Sequence, residues 1–108
     1  YEEFLSAKIL FGLVEEAEEA IEKINRYSGG HSATIITANN ALARQFQETV
    51  DCAAVFHNAS TRFTDGGEFG LGAEIAISTQ KLHFRGPLGL TQLVTNKWYI
   101  WGNGQIRE

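Results

Sequence analysis

The fold is decided by residues 34–57, which read TIITANNALARQFQETVDCAAVFH. Residues 34–37 are β-branched, and residues 52–57 form a short apolar run, so each is typical of a strand. Between them, Leu42, Phe46 and Val50 recur at helical spacing, after two asparagines that can cap a helix. The order strand, helix, strand predicts a parallel pair joined by a crossover.

The residues before this unit predict a second, similar unit. Ala17, Ile21 and Ile24 recur at helical spacing within residues 15–27, and Ser28-Gly29-Gly30 ends that helix. The apolar residues 7–14 resemble a further strand. We therefore expect an α/β fold whose residues 1–57 form a three-layer-like β-α-β-α-β parallel core.

A polar, glycine-rich loop follows the last strand of this core, over residues 58–74. Such a loop leaves the carboxyl end of a parallel strand, where ligands of these sheets bind. Asn58, Ser60 and Thr61 supply polar groups, Arg62 can bind a carboxylate or phosphate through two parallel bonds, and glycine backbone N–H groups can approach an anion. We predict an anion-binding loop, with Arg85 as a second candidate. The alternative is a plain connector.

The remaining residues predict short elements. Residues 74–78 alternate like a strand, Pro87 precedes a short helix over residues 88–93, and the aromatic residues 95–101 resemble a C-terminal strand. The single domain then divides into the core, a loop region over residues 58–86 and a final helix and strand over residues 87–108. An uncovered aromatic strand is an association site, so we expect oligomerisation there.

Composition and motifs exclude several classes of protein. The net charge is −4 without a basic stripe, which argues against a nucleic-acid partner, and no apolar run is long enough to span a membrane. One cysteine fits a reducing compartment, so we expect a cytoplasmic protein. The glycines match neither the dinucleotide nor the phosphate-loop fingerprint. His31, His57 and His83 lack zinc spacing, so no metal is expected, and Cys52 is predicted to be an inert core thiol.

Four stretches resemble gamma-glutamyl phosphate reductase, also called glutamate-5-semialdehyde dehydrogenase, of the aldehyde dehydrogenase superfamily. They are Asn58-Ala59-Ser60-Thr61-Arg62-Phe63-Thr64-Asp65-Gly66, Phe69-Gly70-Leu71-Gly72-Ala73-Glu74-Ile75, Ile77-Ser78-Thr79-Gln80-Lys81-Leu82-His83 and Arg85-Gly86-Pro87-Leu88-Gly89-Leu90. The resemblance also takes in residues 19–32, so it covers essentially the whole chain. Phe84 and Asn96 depart from the family, which usually has Ala and Tyr there.

The resemblance implies a C-terminal portion of an aldehyde-dehydrogenase-like oxidoreductase of proline biosynthesis. That family reduces gamma-glutamyl phosphate to the semialdehyde with NADPH, through a thioester on a cysteine that lies upstream of the matched region. No catalytic residue is therefore expected here. Asn58, Ser60, Thr61, Arg62 and Arg85 are expected to line the substrate pocket, and Glu3 resembles a residue that contacts the nicotinamide ribose.

The resemblance also predicts partners. Because the chain begins at Tyr1 and contains no Met, we expect a portion of a longer protein that is inactive alone and binds no cofactor alone. Its expected partners are the missing N-terminal cofactor and catalytic regions and further copies of itself. Two other functions stay open: a non-catalytic assembly module, natural or redesigned on this scaffold, and a generic anion-binding domain.

Overall fold

The computed structural model describes residues 4–108. Its regular elements are short and are joined by long irregular segments. In chain order they are helix α1 (Ala17–Tyr27), strand β1 (Ser32–Ile35), helix α2 (Asn40–Thr49), strand β2 (Ala54–His57), a 3-10 turn (Thr61–Phe63), strands β3 (Ala76–Ser78) and β4 (Gly86–Leu88), and a second 3-10 turn (Leu90–Leu93).

The predicted strand–helix–strand unit is confirmed. Strands β1 and β2 pair in parallel, with Ser32 opposite Ala54 and Ile35 opposite His57. Helix α2 connects them, because a parallel pair needs a crossover rather than a tight turn. The α/β class and a parallel sheet are therefore present, and the carboxyl ends of both strands lie at one edge of the sheet.

The core lies between the two helices and this sheet. Its buried residues are Ile21 of α1, Phe46 of α2, and Val50 and Cys52 just after α2. Phe46 is only 4% exposed, as the helical spacing predicts. Leu42, expected in the same stripe, is only partly buried; Ala43, 2% exposed, occupies the inner face instead. The small Ala43 side chain leaves less apolar area to bury than the predicted leucine.

The ends of both helices follow from local chemistry. The Asn39 side chain accepts hydrogen bonds from the backbone N–H groups of Ala41 and Leu42, which caps α2 as expected. Helix α1 begins at Ala17, two residues later than predicted, and ends at Tyr27 before the predicted glycines. A Glu19–Lys23 ion pair of 2.6 Å lies on its exposed face.

Two predicted strands are wrong, and with them the three-stranded parallel core and the C-terminal strand. Residues 7–14 and 95–101 contain no strand. Both segments are apolar, yet their side chains are exposed: Leu13 is 97% exposed and Trp101 95%. A strand needs a neighbour to accept its backbone hydrogen bonds, and neither segment pairs with another part of the described chain.

The segment after the polar loop forms a small hairpin-like sheet. Strands β3 and β4 pair antiparallel, with Ile77 opposite Pro87. The predicted helix over residues 88–93 is instead the end of β4 followed by the 3-10 turn Leu90–Leu93. None of the helices within residues 4–108 has the length and apolar character needed to cross a membrane.

Candidate functional site

The polar loop starts at the carboxyl edge of the parallel pair, as predicted. Asn58 follows β2 directly, and its backbone N–H donates to the Ile35 carbonyl of β1 over 2.9 Å. The Thr34 hydroxyl donates to the Ala59 carbonyl over 2.9 Å. These two bonds attach the first loop residues to β1, so the position of the loop is set by the sheet.

Ser60, Thr61 and Arg62 lie together in one turn. The Ser60 side-chain oxygen accepts a hydrogen bond of 3.2 Å from the Arg62 backbone N–H and so caps the 3-10 turn Thr61–Phe63. The Arg62 side chain is exposed. It forms no ion pair with any residue between 4 and 108, so its charge is available for a ligand.

A shallow cleft of about 340 Å³ lies beside this turn. It is lined by Ser60, Arg62, Phe63 and Glu68. A guanidinium, a hydroxyl and an aromatic ring suit a ligand that carries an anionic group on a small organic body. Glu68 carries the opposite charge to Arg62, so its carboxylate favours a cationic group such as an ammonium.

The glycine-rich part of the loop is folded upon itself. The Asp65 carboxylate accepts from the backbone N–H groups of Gly67, at 2.8 Å, and Glu68, at 3.0 Å. The Glu74 carboxylate accepts from the Gly66 N–H over 2.8 Å. These N–H groups therefore already have acceptors within the chain. The expectation that the loop glycines present free N–H groups to an anion is wrong for Gly66 and Gly67.

Arg85 lies at the other end of the parallel strands. One guanidinium nitrogen donates to an Asp51 carboxylate oxygen over 2.7 Å, and the other donates to the backbone carbonyls of Asp51 and Gly30. Gly30 precedes β1 and Asp51 precedes β2, whereas Ser60 and Arg62 follow β2. The structure therefore does not bring Arg85 and Arg62 into one site.

The Arg85 cluster is a set of ion pairs that sequence patterns did not predict. The Lys81 ammonium bonds the second Asp51 oxygen. Hydrogen bonds from Lys81 and then Arg85 hold the pKa of the Asp51 carboxyl below its ordinary value of 3.8. Because the partners are 30 and 34 residues apart in sequence, no local spacing could have indicated them.

The other candidate residues have different surroundings. Glu3 lies outside the described residues. Cys52 is buried in the core with its sulfur 3.8 Å from the Ser28 hydroxyl, in agreement with an inert thiol. Among residues 4–108, no group of three potential ligands could hold a metal ion. The His57 ring nitrogen Nε2 lies 2.9 Å from the Thr37 carbonyl, which is a structural bond.

The chain is thus an α/β protein with a polar loop at the carboxyl edge of its parallel strands, the edge at which ligands bind in open α/β sheets. No protein-family model matches the chain. It is 61% identical over 106 residues to the gamma-glutamyl phosphate reductase of Oceanobacillus iheyensis, and 60% identical over 108 residues to that of Dictyoglomus turgidum. These matches cover 98% and 100% of the chain and 26% of each relative.

The solved structure of a third enzyme with this name has a fold similar to that of the chain. The crystal structure of gamma-glutamyl phosphate reductase from Thermotoga maritima is 55% identical and superposes with a TM-score of 0.79. The superposition covers 88% of this chain and 23% of that one. The resemblance to gamma-glutamyl phosphate reductase is thus confirmed over essentially the whole chain, which spans about a quarter of the length of its curated relatives.

Proposed function

We propose that this chain is the part of a gamma-glutamyl phosphate reductase that forms one wall of the substrate site. In that role it serves the reduction of gamma-glutamyl phosphate to glutamate-5-semialdehyde in proline biosynthesis, in the cytoplasm. The observation that carries the proposal is the 60% identity to such a reductase over all 108 residues. The polar turn at the carboxyl edge supports it, because its Arg62 forms no ion pair with any residue between 4 and 108.

The proposed ligand contacts are made by Ser60 and Arg62, which line the cleft, and by Thr61 of the same turn. The substrate carries two kinds of anion, an α-carboxylate and an acyl phosphate, and either matches the forked guanidinium of Arg62. The α-ammonium group is a cation, which suits Glu68 in the same cleft. Because Arg85 is bound to Asp51, its proposed part is to hold the loop region rather than to reach the cleft.

The cofactor of the proposed reaction is a nicotinamide nucleotide, and we propose specifically NADPH. The first connection of the parallel unit does not fit the phosphate-binding turn of a dinucleotide site. The connection from β1 to α2, residues 36–39, has no glycine at which a pyrophosphate could approach the backbone. The proposal therefore assigns cofactor and nucleophile to other parts of the reductase, and the chain alone is expected to be inactive.

The proposal is tested with a chimaera. This chain replaces the matching residues of the Dictyoglomus turgidum enzyme, and Arg62→Ala is introduced. The assay runs in reverse, with semialdehyde, phosphate and oxidised nicotinamide nucleotide. We expect KM to rise about 10- to 100-fold for one of the two substrates, because a charge-assisted bond is lost. The affected substrate, semialdehyde or phosphate, identifies the anion that Arg62 binds.

The matched control is Arg44→Ala, which removes an exposed arginine from the outer face of α2. We expect its KM values to stay within about twofold of the parent chimaera, since surface changes away from a site have small effects. Unchanged KM values for both substrates in the Arg62 variant would remove Arg62 from the site. Turnover by the 108-residue chain alone would refute its dependence on a partner.

A second function is favoured by a different observation. Residues 98–101 carry four large side chains, Trp98, Tyr99, Ile100 and Trp101, each at least 74% exposed. Apolar surface of this kind marks an interface. We therefore also propose an assembly function, in which this segment contacts another copy or the rest of the reductase. The mass of the chain in solution tests whether copies of it associate.

A further inference from the structure

Asn58 occupies the turn from β2 into the proposed site in an uncommon backbone conformation. Its φ angle is +51°, in the left-handed region that non-glycine residues rarely adopt. Asparagine tolerates this region better than most residues. The turn lets the chain leave the sheet and, after the three residues 58–60, enter the 3-10 turn that carries Arg62.

The Asn58 side chain makes two bonds to one residue of the neighbouring strand end. Its Oδ1 accepts from the Thr37 backbone N–H over 2.9 Å, and its Nδ2 donates to the Thr37 carbonyl over 2.9 Å. The His57 ring bonds that same carbonyl. Both Oδ1 and Nδ2 of the Asn58 amide therefore bond Thr37, which leaves one lone pair and one N–H of the amide open.

We propose that Asn58 is a positioning residue, which fixes the exit from β2 so that Ser60 and Arg62 face the cleft. This inference rests on the proposed function of that cleft. It differs from the expectation that Asn58 itself contacts substrate. Asn58 acts on the substrate only through the turn that it holds in place.

The chemistry of the position requires both groups of an amide. Aspartate would keep an acceptor for the Thr37 N–H but would place a second oxygen against the Thr37 carbonyl, which would keep only its bond to the His57 ring. Glycine would keep the left-handed backbone but would make neither bond. Asn58→Asp thus removes one bond and leaves the backbone conformation accessible.

Asn25 provides a matched control elsewhere in the same unit. Its Nδ2 donates to the Thr49 carbonyl over 3.0 Å, and its Oδ1 accepts from the Asp51 N–H over 2.7 Å. The bonds have the same types as those of Asn58, but they lie at the amino end of β2, away from the loop. A purely stabilising role predicts similar effects from Asn25→Asp and Asn58→Asp.

The first test measures loop order directly. Amide hydrogen exchange is followed in the full-length chimaera for the peptide that contains residues 60–64, whose amides of Phe63 and Thr64 bond within the turn. We expect Asn58→Asp to speed exchange there at least about fivefold, in line with the loss of one hydrogen bond. Asn25→Asp should leave that peptide unchanged. Equal exchange in both variants would overturn the proposal.

The second test is a double-mutant cycle with Arg62→Ala in the reverse assay. If Asn58 acts through Arg62, Asn58→Asp raises KM about fivefold when Arg62 is present. The same substitution has little further effect on KM in the Arg62→Ala background. Independent effects on KM that multiply in the double variant would assign Asn58 a direct contact and overturn the positioning role. Asn25→Asp should leave KM within twofold in both backgrounds.

The two failures are distinguishable. If Arg62→Ala leaves both KM values unchanged while exchange in Asn58→Asp still rises, the proposed substrate site fails and the positioning of the turn stands. If Arg62→Ala raises KM but Asn58→Asp changes neither exchange nor KM, the positioning inference alone fails.

Discussion

Gly66 shows how one residue controls the shape of the loop. It is buried, and a β-carbon at this position would lie 2.6 Å from the Ala73 carbonyl oxygen and 2.8 Å from the Glu74 β-carbon. The Glu74 carboxylate also accepts its N–H. The two ends of the glycine-rich segment therefore approach so closely that no side chain fits between them.

Replacing Gly66 by alanine is expected to destabilise the loop by about 1–3 kcal/mol, the usual cost of overpacking. Denaturant unfolding, or local hydrogen exchange over residues 65–74, measures the change. Gly29→Ala is the control, since a β-carbon there meets nothing within 4 Å. A Gly66→Ala chain as stable as the Gly29→Ala chain would show that the close approach is not required.

The sequence indicated some residue roles and concealed others. Asn39 as a cap and Cys52 as a core thiol could be predicted, because each depends on its immediate neighbours. The Asp65-Gly66-Gly67 pattern is typical of a carboxylate bound to following N–H groups, and it could have predicted the Asp65 turn. The attachment of Asn58 to Thr37 could not be predicted, since it depends on strand register.

At the scale of elements, the helices were the most predictable parts. Their spacing of apolar residues determines which face is buried, and most helical hydrogen bonds form within the helix itself. Strands differ because their hydrogen bonds lie between segments. Residues 32–35 and 54–57 pair because α2 returns the chain alongside. The apolar residues 7–14 and 95–101 resemble strands equally well but have no partner within the described chain.

Ion pairs of Asp51 with Lys81 and Arg85 attach the segment that carries β3 and β4 to the parallel unit. The stability of the chain should therefore depend on the ionisation of Asp51. The pKa of Asp51 is lowered in the folded chain, first by Lys81 and then by Arg85. The stabilisation that the ionised Asp51 gives the folded chain is therefore fully present above the ordinary pKa of 3.8. It is lost as the pH falls through the lowered pKa of the folded chain.

Replacing Asp51 by Asn is expected to lower the melting temperature of the chain near neutral pH, with a difference that shrinks as the pH falls below 3.8. Circular dichroism melts at a series of pH values measure it. Glu16→Gln serves as the control, because the Glu16 side chain makes no capping bond at the start of α1. A difference that grows on acidification would contradict the assigned charge interaction.

The whole molecule is far more extended than a self-sufficient domain of its length. Its radius of gyration is 19.7 Å, against about 13 Å for a compact chain of this size. Its accessible surface is 9283 Å², where about 6,000 Å² is usual. The excess lies largely in the apolar segments near both ends, so the proposed partners have a large surface to cover.

The isolated chain is accordingly expected to self-associate as its concentration rises, which light scattering detects. Replacing Trp98 and Trp101 by serine should reduce the mass if residues 95–101 are the contact. Replacing Leu10 and Leu13 by serine tests the other apolar segment, and the two pairs of substitutions show which end associates. A strictly monomeric mass at all concentrations would rule out assembly between copies of this chain and leave the rest of the reductase as the partner.

The connection between β1 and β2 also bears on the order in which the chain folds. The bond from Thr37 to Asn58 spans 21 residues, and helix α2 lies within that span. The entropy cost of closing a loop grows only slowly with its length, and helices form within microseconds. We therefore expect the parallel unit to form first, and the apolar ends, which pair with nothing within residues 4–108, to become ordered last, upon a template that already exists.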